Sequence, residues 1–288
     1  MATYEAFYGF RESPFNVTPD PKFLFMTPNQ REALAYLTYG VQERKGFLVL
    51  TGEVGVGKTL IVRTLLDRIG DSVETAIVMN AMLTFKQLLE MALVDFGLPL
   101  AGQGKVEMML TFQKFLLRLR DQNRNAVLVI DEAQNLSQTS LEEFRLLSNL
   151  ETSTQKLIQI ILVGQPELKD LLNAHRLRQL KQRIPGLWEL KPLESQAIGE
   201  YIDHRICVAS ENQTGGLFDD SAVREVAEFS GGIPRIVNVV CDRALLIGYV
   251  YDRKKIGAEI VRTAIDEIER GFRSGSDSLL KSTSGADG

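Results

Sequence analysis

Eight consecutive residues, Gly52-Glu53-Val54-Gly55-Val56-Gly57-Lys58-Thr59, constrain this chain more than any other stretch. They follow the apolar run Phe47-Leu48-Val49-Leu50 and precede a helix-like segment over 58–69. The pattern is G-x-x-x-x-G-K-[ST] in the setting it requires, after a buried strand and before a helix. Glycines let backbone N–H groups curl around an anion without side-chain obstruction, and the following helix turns its positive dipole end toward the same point. Lys58 is expected to reach the β- and γ-phosphates of a nucleotide, and Thr59 to supply a hydroxyl to Mg²⁺. A chance glycine turn would not come with both flanking elements in place.

A second stretch completes the chemistry. Ala126-Val127-Leu128-Val129-Ile130 is a strand-like run that ends in Asp131-Glu132. It sets two carboxylates at the carboxyl edge of a sheet, beside the glycine loop. Asp131 is expected to hold Mg²⁺ and Glu132 to orient or deprotonate an attacking water. An isolated acid pair after a strand is ordinarily a solvated strand end. The glycine loop upstream gives this pair its functional reading, and the pair argues for hydrolysis beyond phosphate binding.

The same logic sets the organisation. Expected strands lie at 47–51, 75–79, 126–130 and 157–163. Expected helices lie at 29–45, with Asn29 as cap, and at 58–69, 85–96, 106–122 and 141–150. The strands are continuous apolar runs, the mark of a parallel sheet covered on both faces. After Pro192 only helices are expected, at 194–210, 219–229, 234–251 and 258–272. The reading is therefore an α/β core followed by a small helical domain. An aromatic and Pro-rich arm with its helix takes 1–45, the core 46–190, the helical domain 191–272 and a disordered Ser/Gly/Asp-rich tail 273–288. With 288 residues, 44% of them hydrophobic, the chain can bury two such cores. A net charge of −4 argues against a whole-surface nucleic-acid binder and confines any DNA contact to a local patch. Cys207 and Cys241 are expected as buried free thiols, and no Cys/His cluster has metal spacing. No run approaches the roughly 20 apolar residues of a membrane span, and no signal peptide is evident, so the expected location is cytoplasmic or peripheral to the inner membrane. Trp188, with Leu187 and Leu190, is expected to join the two domains.

The acid pair following the glycine loop resembles that of AAA+ ATPases. That resemblance implies a three-layer αβα core with a helical lid, and ATP with Mg²⁺ as ligands. Three later features fit it. In Gly164-Gln165-Pro166-Glu167-Leu168, Gln165 stands where the family places its polar sensor-1 residue; read blandly, it is a turn glutamine. Leu177-Arg178-Gln179-Leu180-Lys181-Gln182-Arg183-Ile184 resembles the segment carrying the arginine finger, with Arg183 favoured over Arg178; read blandly, it is a basic helix face. Gly231-Gly232-Ile233-Pro234-Arg235 resembles the sensor-2 motif, which would turn Arg235 to the nucleotide, although Gly-Gly and Pro also suit a helix boundary.

A narrower resemblance adds the amino-terminal strings Phe7-Tyr8-Gly9-Phe10, Ser13-Pro14-Phe15, Pro19-Asp20-Pro21-Lys22-Phe23-Leu24-Phe25 and Arg31-Glu32-Ala33-Leu34. Together with Asp131-Glu132-Ala133-Gln134 and Val163-Gly164-Gln165-Pro166-Glu167-Leu168, they are similar to the general secretion pathway protein A family over residues 4–270. The resemblance implies an ATPase that drives assembly of an envelope machine: a secretin, a pilus or an exopolysaccharide exporter. It also implies a homo-oligomeric ring or filament with a trans arginine finger and an envelope-assembly or inner-membrane partner. The competing class is an ATP-dependent DNA-transposition regulator that oligomerises on DNA and recruits a transposase. The aromatic arm and acidic balance favour the first. A scaffold without turnover is disfavoured by Lys58, Asp131 and Glu132.

Overall fold

A computed structural model describes residues 3–79, 82–100, 104–151, 155–210 and 215–283, with the backbone alone at 71 and 272–283. The chain divides into two compact units, residues 28–191 and residues 1–27 with 192–288.

The sheet unit opens with helix α2 (Pro28–Gln42); α1 (Tyr4–Tyr8) belongs to the other unit. Strands β1 (Phe47–Gly52), β2 (Val73–Val78), β3 (Asn125–Ile130), β4 (Gln159–Gly164) and β5 (Leu187–Leu190) form one parallel sheet in the order β2-β3-β4-β1-β5. The helices between them are α3 (Lys58–Ile69), α4 (Phe85–Asp95), α5 (Lys105–Asp121), α6 (Gln138–Leu147), α7 (Glu167–Leu172) and α8 (Arg178–Lys181). β1, β3 and β4 are buried along their whole length. Side chains alternate across a strand, so each strand feeds two cores. Phe47, Val49, Ala76, Val78, Leu128, Ile130, Ile160 and Leu162 join Leu88, Leu89, Phe112 and Phe144 of α4, α5 and α6 in one cluster. On the opposite face α2 lies close enough that a Cβ at Gly40 would stand 2.2 Å from Leu48 Cδ2. Helices on both faces of a parallel sheet are the αβα arrangement the continuous apolar runs imply.

β5 was not among the expected strands. Leu187 and Glu189 are exposed and only Leu190 is buried, so this four-residue edge strand has no apolar run to announce it. It pairs with β1 from Val49↔Leu187 to Gly52↔Leu190. Asn29 serves this strand and not the helix end expected of it: its Nδ2 donates to Glu189 O at 3.1 Å and its Oδ1 accepts from Lys191 N at 3.0 Å. Trp188 packs inside the sheet unit, its ring 6.2 Å from that of Tyr36.

The second unit is helical, with α9 (Ala197–Ala209), α10 (Asp220–Ser230), α11 (Pro234–Val250) and α12 (Ala258–Thr283). α12 runs on past 272, through residues expected as tail; 284–288 lie outside the described residues. The expected segment 1–45 is thus divided between the units. Residues 1–27 belong to the helical one, where Tyr8, Phe10 and Phe15 are buried with Ile198, Ile202, Val240 and Leu245. Arg205 fastens this arm. It is buried, donates from Nε to Pro14 O at 2.5 Å and from Nη2 to Asn16 O at 3.1 Å, and lies 4.6 Å from the Phe23 ring centroid. Prolines leave carbonyls of the arm outside any ladder, and a guanidinium is the donor rich enough to serve two of them. Cys241 is buried, but Cys207 is exposed, on the outer side of α9.

Candidate active site

The parallel order places β1 between β4 and β5. The chain leaves β1 for β2 on one edge of the sheet and later returns to β5 on the other side of β1. Such switch points open a crevice at the carboxyl ends of the strands. Gly52, Asp131 and Gly164 stand at the ends of β1, β3 and β4.

The loop after β1 needs its glycines for two different reasons. At Gly52 the reason is space: a Cβ would come within 2.6 Å of Leu190 O and 2.9 Å of Val56 Cγ2, so the end of β5 walls the first turn of the loop. At Gly57 the reason is conformation: φ is 104° with nothing nearby, a backbone that side chains rarely adopt. Gly57 is also the cap of α3, whose first turn begins at Lys58 and Thr59. Among Gly52, Glu53, Val54, Gly55, Val56 and Gly57, only Val56 anchors the loop by a buried apolar side chain, while Glu53 and Val54 are exposed.

Lys58 is buried and arches over the loop, donating to Gly52 O at 2.7 Å and Glu53 O at 3.0 Å. Burial lowers its pKa below the ordinary lysine value, and the charges of Glu132, Asp131, Glu53 and Glu167 oppose that shift. The ammonium is therefore held in a field of acids at the mouth of the loop. Thr59 Oγ1 donates to Asp131 Oδ2 at 3.1 Å. One hydroxyl and one carboxylate, side by side at a phosphate-binding loop, suit Mg²⁺, which keeps several waters and takes further oxygens from phosphate. No group of three or more His, Cys, Asp and Glu among the described residues forms a metal cage.

Glu132 follows in a left-handed backbone conformation, φ 54° and ψ 36°. Its N–H donates to Asp131 Oδ1 at 2.9 Å, which closes the turn at the strand end. Its carboxylate is held by two amides. Gln134 Nε2 donates to Glu132 Oε2 at 2.6 Å, and Gln165 Nε2 donates to the same oxygen at 3.3 Å. Gln165 N–H in turn donates to Gln134 Oε1 at 3.0 Å. The structure thus brings Lys58, Thr59, Asp131, Glu132 and Gln165 to one sheet edge. Gln134 joins them without having been singled out. Its signal was its place in the string Asp131-Glu132-Ala133-Gln134, which carried the family resemblance but no role.

The other two candidates are carried by other elements. Arg183 precedes β5, so it stands toward the amino end of the sheet while the phosphate loop follows the carboxyl end of β1. It is half-buried, its Nη1 has no hydrogen-bond partner among the described residues, and it adds to the field by which Lys156 holds the Glu151 carboxyl below its usual range. Arg178 opens α8 and is exposed. Arg235 is exposed in the first turn of α11 in the helical unit. The double glycine before it has a local reason as well: Gly231 caps α10 with φ 55°, and a Cβ at Gly232 would stand 2.1 Å from Leu193 O.

Comparison with known proteins agrees with this geometry. The family model described as an AAA domain matches residues 41–172. General secretion pathway protein A of Aeromonas hydrophila is 40% identical over 254 residues, 88% of this chain, and the chain spans 46% of that protein's length. The fold is similar to the ORC2 protein of Aeropyrum pernix in its ADPNP–ADP complexes (TM-score 0.70, 18% identity, 90% of this chain and 72% of that one). It is also similar to Cdc6p of Pyrobaculum aerophilum (TM-score 0.70, 20% identity, with the same two shares). At such identities the structural likeness shows the fold alone. The site motifs, the parallel αβα sheet and the family match together identify residues 41–172 as an AAA domain, in a chain that is similar over most of its length to general secretion pathway protein A.

Proposed function

We propose that this chain hydrolyses ATP with Mg²⁺ and does so as a homo-oligomer serving assembly of a bacterial envelope machine. The observation that carries the catalytic reading is the 3.1 Å pairing of Thr59 Oγ1 with Asp131 Oδ2 beside Lys58, with Glu132 next in sequence. Thr59 and Asp131 would hold Mg²⁺, which neutralises charge on phosphate oxygens. The loop amides and Lys58 bind and orient the β- and γ-phosphates. Glu132 accepts a proton from a water as the water oxygen bonds to the γ-phosphorus; the bond to the bridging oxygen breaks and ADP leaves with that oxygen. Gln165 supports the water site, and Arg235 is assigned a nucleotide-sensing role on the resemblance of its motif alone.

Arg183 is the residue we assign to a neighbouring subunit's γ-phosphate. Its Nη1 has no hydrogen-bond partner among the described residues, and it precedes β5 while Lys58 follows β1. A contact from one such surface to a different one is head-to-tail and generates a ring or a filament. Hydrolysis per subunit is accordingly expected to rise with protein concentration. Mixing inactive Lys58→Ala with inactive Arg183→Ala subunits should restore part of the activity, because some interfaces then pair an intact site with an intact arginine. A dead mixture, with activity independent of concentration, would remove the shared site; complementation by Arg178→Ala in place of Arg183→Ala would move the assignment.

The envelope role rests on the 40% identity to general secretion pathway protein A. No helix among the described residues is long and apolar enough to cross a membrane. Capture from native cells with the hydrolysis-deficient Glu132→Gln chain, with and without nuclease, tests this role. Envelope-assembly proteins recovered after nuclease treatment are the expected result. Recovery of DNA and a transposase would overturn it in favour of a transposition regulator.

A further inference from the structure

The amide of Gln134 does more than fill the turn after β3. Among the described residues it touches two groups of opposite hydrogen-bonding character. Glu132 Oε2, as a carboxylate, can only accept, and the backbone N–H of Gln165 can only donate. The side chain between them must therefore donate at one end and accept at the other. That fixes the orientation of the amide, with Nε2 on Glu132 at 2.6 Å and Oε1 on Gln165 N at 3.0 Å. A carboxylate could not donate, and a hydroxyl lacks the reach. The space is set as well. A Cβ at Gly164 would come within 2.8 Å of Gln134 Oε1 and 2.9 Å of Leu168 Cδ2. The end of β4 has no side chain at the one place where the amide passes. Gln165 adds its own Nε2 to the same carboxylate oxygen at 3.3 Å, so the acid is tied to β4 by two routes.

We propose that Gln134 is a positioning residue for Glu132: it holds the carboxylate in one orientation and couples that orientation to the end of β4. The inference rests on Glu132 being the base of the proposed hydrolysis. With both amide donors on Oε2, the carboxylate is restrained about its last torsion, which is otherwise broad. The other oxygen, Oε1, is left for the water. The backbone of Glu132 is already in the left-handed region, so the turn alone gives a side chain less common support than a helix or strand would. Displacement of a reacting group by about 1 Å can cost roughly 100-fold in rate.

The test is Gln134→Met, which keeps the unbranched shape and removes both hydrogen-bonding functions. The expected result is a kcat about 10- to 100-fold lower, with KM for ATP and nucleotide affinity unchanged. In a Glu132→Gln background the same substitution should leave the residual rate unchanged, since Gln134 acts through Glu132. A second variant, Gly164→Ala, pushes the amide aside without removing it and should lower kcat in the same way, with its melting midpoint recorded as a control for folding. Wild-type kcat in Gln134→Met overturns the inference, as does an equal loss in both backgrounds, which would mark a general structural role. If Glu132→Gln itself turns over at the wild-type rate, the proposed base falls, and the failure is that of the hydrolytic reading.

Discussion

Replacing Lys58 with alanine is expected to weaken ATP binding about 100-fold, a loss of about 2.8 kcal/mol. Charge-assisted hydrogen bonds contribute about 1.5–3 kcal/mol each, and the buried ammonium is positioned to give one or two of them to phosphate oxygens. The loop amides and the start of α3 would remain, so some affinity survives. Lys58 also donates to Gly52 O and Glu53 O, and its loss leaves those carbonyls without that donor. The melting midpoint without nucleotide therefore has to be measured beside the titration. A fluorescent-nucleotide titration with unchanged affinity, in a protein of unchanged stability, would take Lys58 out of the site.

Much of this was legible from residue order, for identifiable reasons. β1, β3 and β4 each carry a continuous run of four or five apolar residues because helices cover both faces, and that pattern needs no tertiary information. The span of α3 follows from Gly57 before it and Gly70 after it. β5 was not legible. An edge strand of four residues with Leu187 and Glu189 in solvent has too short a buried face to read, yet its Leu190 carbonyl shapes the phosphate loop. Asn29 misled for a related reason. Its amide suits a helix cap and a strand backbone equally, and only the approach of β5 selects the second. The aromatic, Pro-rich character of the arm is plain in the sequence, but its place in the helical unit depends on Arg205, nearly two hundred residues away. At the site, Lys58, Thr59, Asp131 and Glu132 were evident because local spacing places them. The Gln134 bridge was not, because it depends on how the turn after β3 meets the end of β4.

The second large effect concerns chemistry and not binding. Glu132→Gln retains the shape of the side chain and removes its capacity to take a proton. General-base catalysis contributes about 10²–10⁴-fold, so turnover should fall by that order. Asp131, Thr59 and Lys58 are untouched by the change, and the affinity for ATP should stay at the wild-type level. The substituted amide would also face the amide groups of Gln134 and Gln165, which can donate to its oxygen as they do to the carboxylate. The turn should therefore keep its geometry, and the loss can be assigned to the proton.

The most direct measurement is a chemical-quench experiment on wild type and Glu132→Gln, each saturated with Mg²⁺ and ATP, following cleavage of the β–γ bond. The wild-type chain should form ADP and phosphate, and Glu132→Gln, binding ATP equally well, should form them about 10²–10⁴-fold more slowly. Cleavage at the same rate in both, or no cleavage by the wild-type chain at any concentration, would contradict the assignment of this site as an ATPase centre with Glu132 as its base.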